Sequence, residues 1–398
     1  MLRRDVLKLA AAAAPLAYAG RLWAAPQAST RLLVVFLRGA YDAANVVIPI
    51  GSDFYYEARP SIHIPRPEAA AGDNAALSLD AEWGLHPALK DSIYPLWKKG
   101  QLAFVPFAGA GDDLSRSHFE TQDTIELGQP VQGSRNYRSG FLSRLYGELA
   151  GQAKPIAFTG EMPLSFRGGL PVANVMIDGP ERTGVEEHQA QLIQQMYQGH
   201  ALASSVAQGF QMRQDVDKAS SEMMAASRGA GSARGFELAA RRIGVLMKST
   251  YNLAFVDVGG WDTHVNQGAV EGTLAQQLRP LGAGLAGFAD ELGPAAWNDT
   301  VVVVVSEFGR TFHENGDRGT DHGHGSAYWV LGGGIKGGRI LGEQVKLSPE
   351  TLVDKRDYPV LTDYRALMGG LFQRIYGLDQ ARLQTVFPKM SPKDLQIV

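Results

Sequence analysis

The 398-residue chain contains no cysteine. That absence removes disulfides, Cys-ligated zinc, thiol nucleophiles and iron–sulfur clusters together, so any metal must be held by His, Asp, Glu, Asn or hydroxyl groups. Excess positive charge is also missing: the formal net charge is -3, and no Lys/Arg run with interleaved aromatics offers a phosphate-backbone groove. Neither a Gly-x-Ser-x-Gly elbow nor a His-Glu-x-x-His pair occurs, which argues against a serine esterase and a zinc peptidase of that type. No internal repeat of fixed period is visible. What is present is ordinary globular material, 45% hydrophobic and 20% charged, enough to bury a large core.

Arg3-Arg4-Asp5-Val6-Leu7-Lys8 precedes an Ala/Leu-rich stretch over 9–19 and small residues at Ala24, Ala25 and Ala28. The pattern resembles a twin-arginine export signal, and it is too short for the roughly 20 apolar residues of a spanning helix. We therefore expect residues 1–28 to be a signal read by the twin-arginine translocation machinery. Residues 29–398 would form the mature domain, periplasmic or secreted, without a transmembrane helix.

Continuous apolar, β-branched runs at Arg31–Leu37, 102–107, 254–258 and 301–305 read as strands buried on both faces. Amphipathic helical stretches separate the later ones, which predicts an α/β fold with a mostly parallel sheet. Residues 186–227, rich in Gln, Ala, Glu and Met, read as a helical insertion. A Gly/Ser break at 228–233 then precedes a helix over 236–248, and Thr362-Asp363 opens a further helix.

In open parallel sheets, ligands collect beyond the carboxyl ends of the strands. Asp42 and Asn45 follow the first run; Trp261, Asp262 and His264 follow the third. Ser306, Glu307 and Arg310 follow the fourth, and the next loop carries Asp321, His322 and His324. Asp42, Asp262, His264, Glu307, Asp321, His322 and His324 converging on one rim would hold a divalent cation without cysteine. Of the other histidines, His63, His86, His188, His200 and His313 read as structural or solvated. Ser117 stands where a helix should begin, either as its cap or as a hydroxyl facing the helix dipole, with Arg116 beside it to contact an oxyanion.

Several motifs occur in order: Phe36-Leu37-Arg38-Gly39 with Asp42 and Asn45, Ser117-His118-Phe119-Glu120, and Ser306-Glu307-Phe308-Gly309-Arg310-Thr311. Asp321-His322-Gly323-His324-Gly325 and Gly332-Gly333-Gly334-Ile335-Lys336-Gly337-Gly338 follow. Together they resemble an exported bacterial family that carries only a domain-of-unknown-function label and is grouped with the alkaline phosphatase and sulfatase superfamily. The resemblance implies an alkaline-phosphatase-like three-layer sandwich and an exported hydrolase of phosphate esters, with sulfate esters less favoured. It also implies one or two divalent ions, zinc or manganese. Ser117 matches the nucleophile position, with Ser115 or a metal-bound hydroxide as the alternative attacking group, and with Arg116 and Arg310 as accompanying catalytic groups. Asp262, His264 and His324 match the first metal site, and Asp42 with Glu307 and His322 or Asp321 the second. One departure stands out: the superfamily's Asp-His at a strand end is Glu307-Phe308 here. Either Asp321 or His322 completes the second site, or one ion binds, or the chain is a non-enzymatic exported binding or scaffold protein on a degenerate version of the fold.

Overall fold

A computed structural model describes residues 30–176, 187–210 and 235–398. The expected signal at 1–28 lies outside the described residues, as does the Gly/Ser break. Of the expected insertion, the helix Glu187–Met196 and a helical stretch over 203–210 are described.

Nine strands form one sheet: β1 (Arg31–Leu37), β2 (Leu102–Gly109), β3 (Pro155–Phe158), β4 (Ala173–Asn174), β5 (Leu253–Val258), β6 (Thr300–Ser306), β7 (Ser326–Leu331), β8 (Arg339–Ile340) and β9 (Thr362–Asp363). Their order is β8-β2-β7-β6-β1-β5-β3-β4, with β9 also paired to β2. Only β7 runs against the others, antiparallel to both β2 and β6. The four apolar runs of the sequence are β1, β2, β5 and β6. The short strands and the antiparallel β7 are additions.

Alternation along β1 divides the core. Leu33, Val35 and Leu37 enter one apolar cluster with α3 (Phe236–Ser249) and α4 (Thr273–Asn298). Leu32, Val34 and Phe36 enter a second cluster with α2 (Phe141–Glu148), α5 (Tyr364–Tyr376) and α6 (Gln380–Val386). This is a three-layer α/β/α sandwich, and it explains why β1 and β6 read as unbroken apolar runs: both faces are covered. The expected opening of α5 is observed in detail, with the Asp363 carboxylate accepting from the Arg365 N–H at 2.8 Å as N-cap. No helix among the described residues is long and apolar enough to cross a membrane.

Because β1, β2, β5 and β6 run the same way and β7 returns, the segments after the first four and before the last all emerge on one rim. That rim carries the polar residues singled out above.

Candidate metal centre

The rim is closed by backbone contacts that demand small residues. Gly39 has φ +116°, and a Cβ there would lie 2.8 Å from the Asp262 nitrogen, so the β1 and β5 loops touch only because residue 39 has no side chain. The Gly39 N–H donates to Glu307 Oε1 at 2.8 Å, tying β1 to β6. The loop leaving β6 zips onto the chain entering β7: the Gly309 N–H donates to the His324 carbonyl (2.8 Å) and the Gly323 N–H to the Gly309 carbonyl (2.9 Å). From β2, the chain crosses the rim and starts α1 (His118–Leu127), which places His118 at the helix's first residue.

Three imidazoles and one carboxylate meet there. His118 Nε2 lies 2.9 Å from His322 Nε2, and His264 Nε2 lies 3.1 Å from the same atom. Asp262 Oδ1 is 2.8 Å from His264 Nε2, and Asp262 Oδ2 is 3.6 Å from His118 Nε2. Ligand atoms of His118, Asp262 and His322 all fall within 4.8 Å of one another. Every imidazole is anchored from behind. His118 Nδ1 donates to Glu307 Oε1 (2.8 Å), His322 Nδ1 to the Arg116 carbonyl (3.0 Å) and His264 Nδ1 to Asp321 Oδ1 (3.2 Å). Since these partners are acceptors, each ring is assigned its proton on Nδ1, and three Nε2 lone pairs then face a common point. Lone pairs facing each other at such distances repel unless a proton or a metal cation lies between them. The donor set, three nitrogens and an oxygen, suits a borderline divalent metal.

The surroundings fix charge as well as position. Burial opposes ionisation of Asp262, but the Arg310 hydrogen bond (Nη1 to Oδ1, 2.6 Å), its charge and those of His264 and His118 hold the carboxyl below its usual range. Glu307 is fully buried, yet hydrogen bonds from His118, Gln122 and the Gly39 N–H outweigh the burial and keep it ionised. His118 is shifted upward, chiefly by its bond to Glu307. Burial, then the charges of His118 and Arg310, push His322 downward, toward the neutral imidazole that ligation needs. Phe308 walls the site, its ring 5.0 Å from that of His118 and 5.3 Å from that of His322.

Several expected site residues stand elsewhere. Asp42 is buried and forms a two-point ion pair with Arg59 (2.5 and 3.0 Å), and it also accepts from Gln267 at 2.6 Å. Its charge is neutralised inside the protein, so it is not presented as a ligand. His324, expected as the last ligand, sits beside Arg116 and the Asp113 backbone, where burial and then the Arg116 charge lower its pKa; His322 and His118 face the centre instead. Arg310 has a fully buried side chain spent on Asp262 and Thr320, which makes it a positioning residue. The Arg116 guanidinium turns away to Asp354 and Asp357 (both 2.8 Å), and its contribution to the centre is its carbonyl. Glu307 and Asp321 orient imidazoles from behind. Ser117 is the N-cap residue of α1 by position, but its hydroxyl makes no cap hydrogen bond. His86 is buried, with Nε2 against the Ala269 carbonyl and Nδ1 accepting from Ala88. Burial pushes its pKa down to about 4, which fits a structural imidazole.

The residue that sequence reasoning passed over is His118. Its signal was present, since a His beginning a helix just beyond a strand end occupies the rim, but the neighbouring Ser117 drew the assignment.

No curated protein matches the chain. Among solved structures, it is similar to the lipoteichoic acid synthase LtaP from Listeria monocytogenes, with 8% identity, 93% of this chain and 76% of that chain covered, and a TM-score of 0.41. It is also similar to Ps i-CgsB, crystallised with k-i-k-neocarrahexaose (10% identity, 92% and 75% covered, TM-score 0.39). A third similar structure is a protein in the alkaline phosphatase superfamily from Vibrio parahaemolyticus (14% identity, 85% and 70% covered, TM-score 0.34). The family model described as "Protein of unknown function (DUF1501)" matches residues 29–387, and the chain belongs to that family.

Proposed function

We propose that this protein is an exported, single-metal hydrolase of phosphate esters, with sulfate esters second. The observation that carries the reading is the convergence of three Nδ1-anchored imidazoles on Asp262. His118, His264, His322 and Asp262 would hold the ion, and three neutral nitrogens with one carboxylate favour zinc over manganese. One ion rather than two follows from the pairing of Asp42 with Arg59 and from Phe308 in place of an imidazole.

A bound divalent ion supplies Lewis-acid stabilisation of charge on the transferred group. The protein's own part is arrangement. Glu307, Asp321 and the Arg116 carbonyl fix the imidazoles, and Arg310 fixes Asp262. With four ligands carrying one negative charge between them, a dication leaves the centre net positive and attractive to an anionic ester. The first-turn N–H groups of α1 favour the same anion. We assign the attack to Ser117, whose hydroxyl is uncommitted to capping and adjoins His118 in the chain.

Metal analysis of the full chain with 4-nitrophenyl phosphate and sulfate as substrates tests this. Near one ion per chain and faster release from the phosphate are expected. Asp262→Asn should lower both metal content and turnover, and unchanged stoichiometry would remove Asp262 from the site. Ser117→Ala should reduce turnover by orders of magnitude with the fold intact; near-normal turnover passes the attack to water. The non-enzymatic reading, favoured by the same Asp42 and Phe308 observations, predicts bound metal with no turnover on either ester. Export is tested separately: Arg3→Lys with Arg4→Lys should strand the precursor in the cytoplasm, and normal delivery would contradict the signal.

A further inference from the structure

Helix α1 carries three residues at successive four-residue steps, His118, Gln122 and Glu126, and these lie on one face. His118 belongs to the metal centre. Gln122 donates to Glu307 Oε1 at 2.9 Å and accepts from Arg38 at 2.9 Å, and it also lines a cleft of about 370 Å³. The cleft therefore begins one helical turn from a proposed ligand. It shares Tyr137, Met162 and Arg167 with a second cleft of about 460 Å³, so the two read as one elongated groove leading away from the centre.

The chemistry of the groove differs from that of the centre. The part beside Gln122 is lined by four carboxylates, Asp123, Glu126, Glu161 and Asp257, against two guanidiniums, Arg38 and Arg167, a formal balance of -2. Arg38 is occupied: its Nε, Nη1 and Nη2 donate to Asp257, Gln122 and Glu126 at 2.7, 2.9 and 2.8 Å. Asp123 is half-buried and has no hydrogen-bond or ion-pair partner among the described residues. Tyr137 lies 48% exposed where the two clefts join. Across both clefts four carboxylates face three guanidiniums, Arg38, Arg138 and Arg167, so the lining has no surplus of positive charge to hold a polyanion. Carboxylates that accept from vicinal hydroxyls, an arginine that donates, and an exposed aromatic ring for an apolar sugar face suit an uncharged oligosaccharide.

We propose that the groove is a glycan subsite, so that the ester cleaved at the metal centre is carried on a carbohydrate whose uncharged sugar units lie along Asp123 and Tyr137. This rests on the proposed ester hydrolysis only for the position of the ester, since occupancy of the groove is measurable without turnover.

The test is calorimetric titration of the metal-loaded full chain with individual uncharged hexasaccharides, namely β-1,4-glucan, α-1,4-glucan, β-1,4-mannan, β-1,3-glucan and β-1,4-linked N-acetylglucosamine. Saturable binding of at least one is expected, weakened about tenfold or more by Asp123→Asn and by Tyr137→Ala. His118→Ala, which removes a proposed ligand, should change glycan affinity by no more than about twofold. Binding that persists in a protein without ester turnover keeps the glycan subsite and removes the hydrolase. Turnover of 4-nitrophenyl phosphate with no binding of any uncharged hexasaccharide overturns the subsite and leaves the hydrolase. Binding that neither Asp123→Asn nor Tyr137→Ala weakens places the sugar elsewhere and also overturns it.

Discussion

Two polar pockets lie on the same rim, and each contains an aspartate delivered by a loop just beyond a strand. Around Asp42 every charge finds its partner within the chain. All the donors of Arg59 are answered: Nε by the Phe312 carbonyl, Nη1 by Asp42 and Asn45, Nη2 by Asp42 and the Thr311 carbonyl, with Gln267 completing the aspartate. Around Asp262 the arrangement is complete on its outer side only. Arg310, Glu307, Asp321 and the Arg116 carbonyl hold the four groups from behind, while the three Nε2 atoms face inward toward one another. A buried network satisfied by its own chain serves the fold, whereas one satisfied everywhere except at its middle is made for something that arrives from outside.

Removing a partner from the first pocket should give the largest effect. Arg59→Met leaves Asp42 buried and uncompensated and is expected to cost about 3–5 kcal/mol in urea unfolding, with metal stoichiometry of the folded fraction unchanged. A loss of metal in that variant would merge the two pockets. In the second pocket, stability should follow the ion: at zinc near 100 times its Kd, the wild type should gain about 2.7 kcal/mol over its chelated form. His118→Ala should show no such gain; a variant still stabilised by zinc would take His118 out of the centre. Glu307→Gln keeps shape but weakens the grip on His118 Nδ1, and a fall in zinc affinity of about 10- to 100-fold is expected by competition with a chromophoric chelator. An unchanged affinity would make Glu307 part of the core only. Ser117→Ala should be smallest in stability, within about 0.5 kcal/mol, because its hydroxyl makes no cap bond. A loss near 1 kcal/mol by thermal unfolding would restore the capping role.

The strands of the sheet centre were legible because β1 and β6 are covered on both faces, which forces unbroken apolar runs. β7 was less so, since its Ser-Ala-Tyr-Trp-Val-Leu is a short segment beside many glycines, and nothing local announces an antiparallel return. At the rim, spacing located the right loops but could not choose among their residues. Asp42 read as a ligand because Arg59, its partner, belongs to a different loop and carries no linear mark of the pairing. Within His322-Gly323-His324 the choice of imidazole is made by packing: a Cβ on Gly309 would lie 1.9 Å from the Gly325 carbonyl, so the segment has one way to lie against the β6 loop. His118 was hidden for a similar reason, because the Glu307 that orients it is 189 residues away.

The one antiparallel strand of the nine-stranded sheet bears on how such a centre changes over time. β6 and β7 are neighbours, so the chain between them leaves and re-enters the sheet at fixed points while supplying Glu307, Arg310, Asp321 and His322. Loop closure costs only slowly more as a loop lengthens. That segment can therefore be exchanged as a cassette, with ligands gained, lost or respaced, while all eight main-path strands keep their pairing and the sheet its core. Diversification of chemistry on this scaffold is thereby concentrated in one stretch of sequence, and comparisons between homologues should begin there.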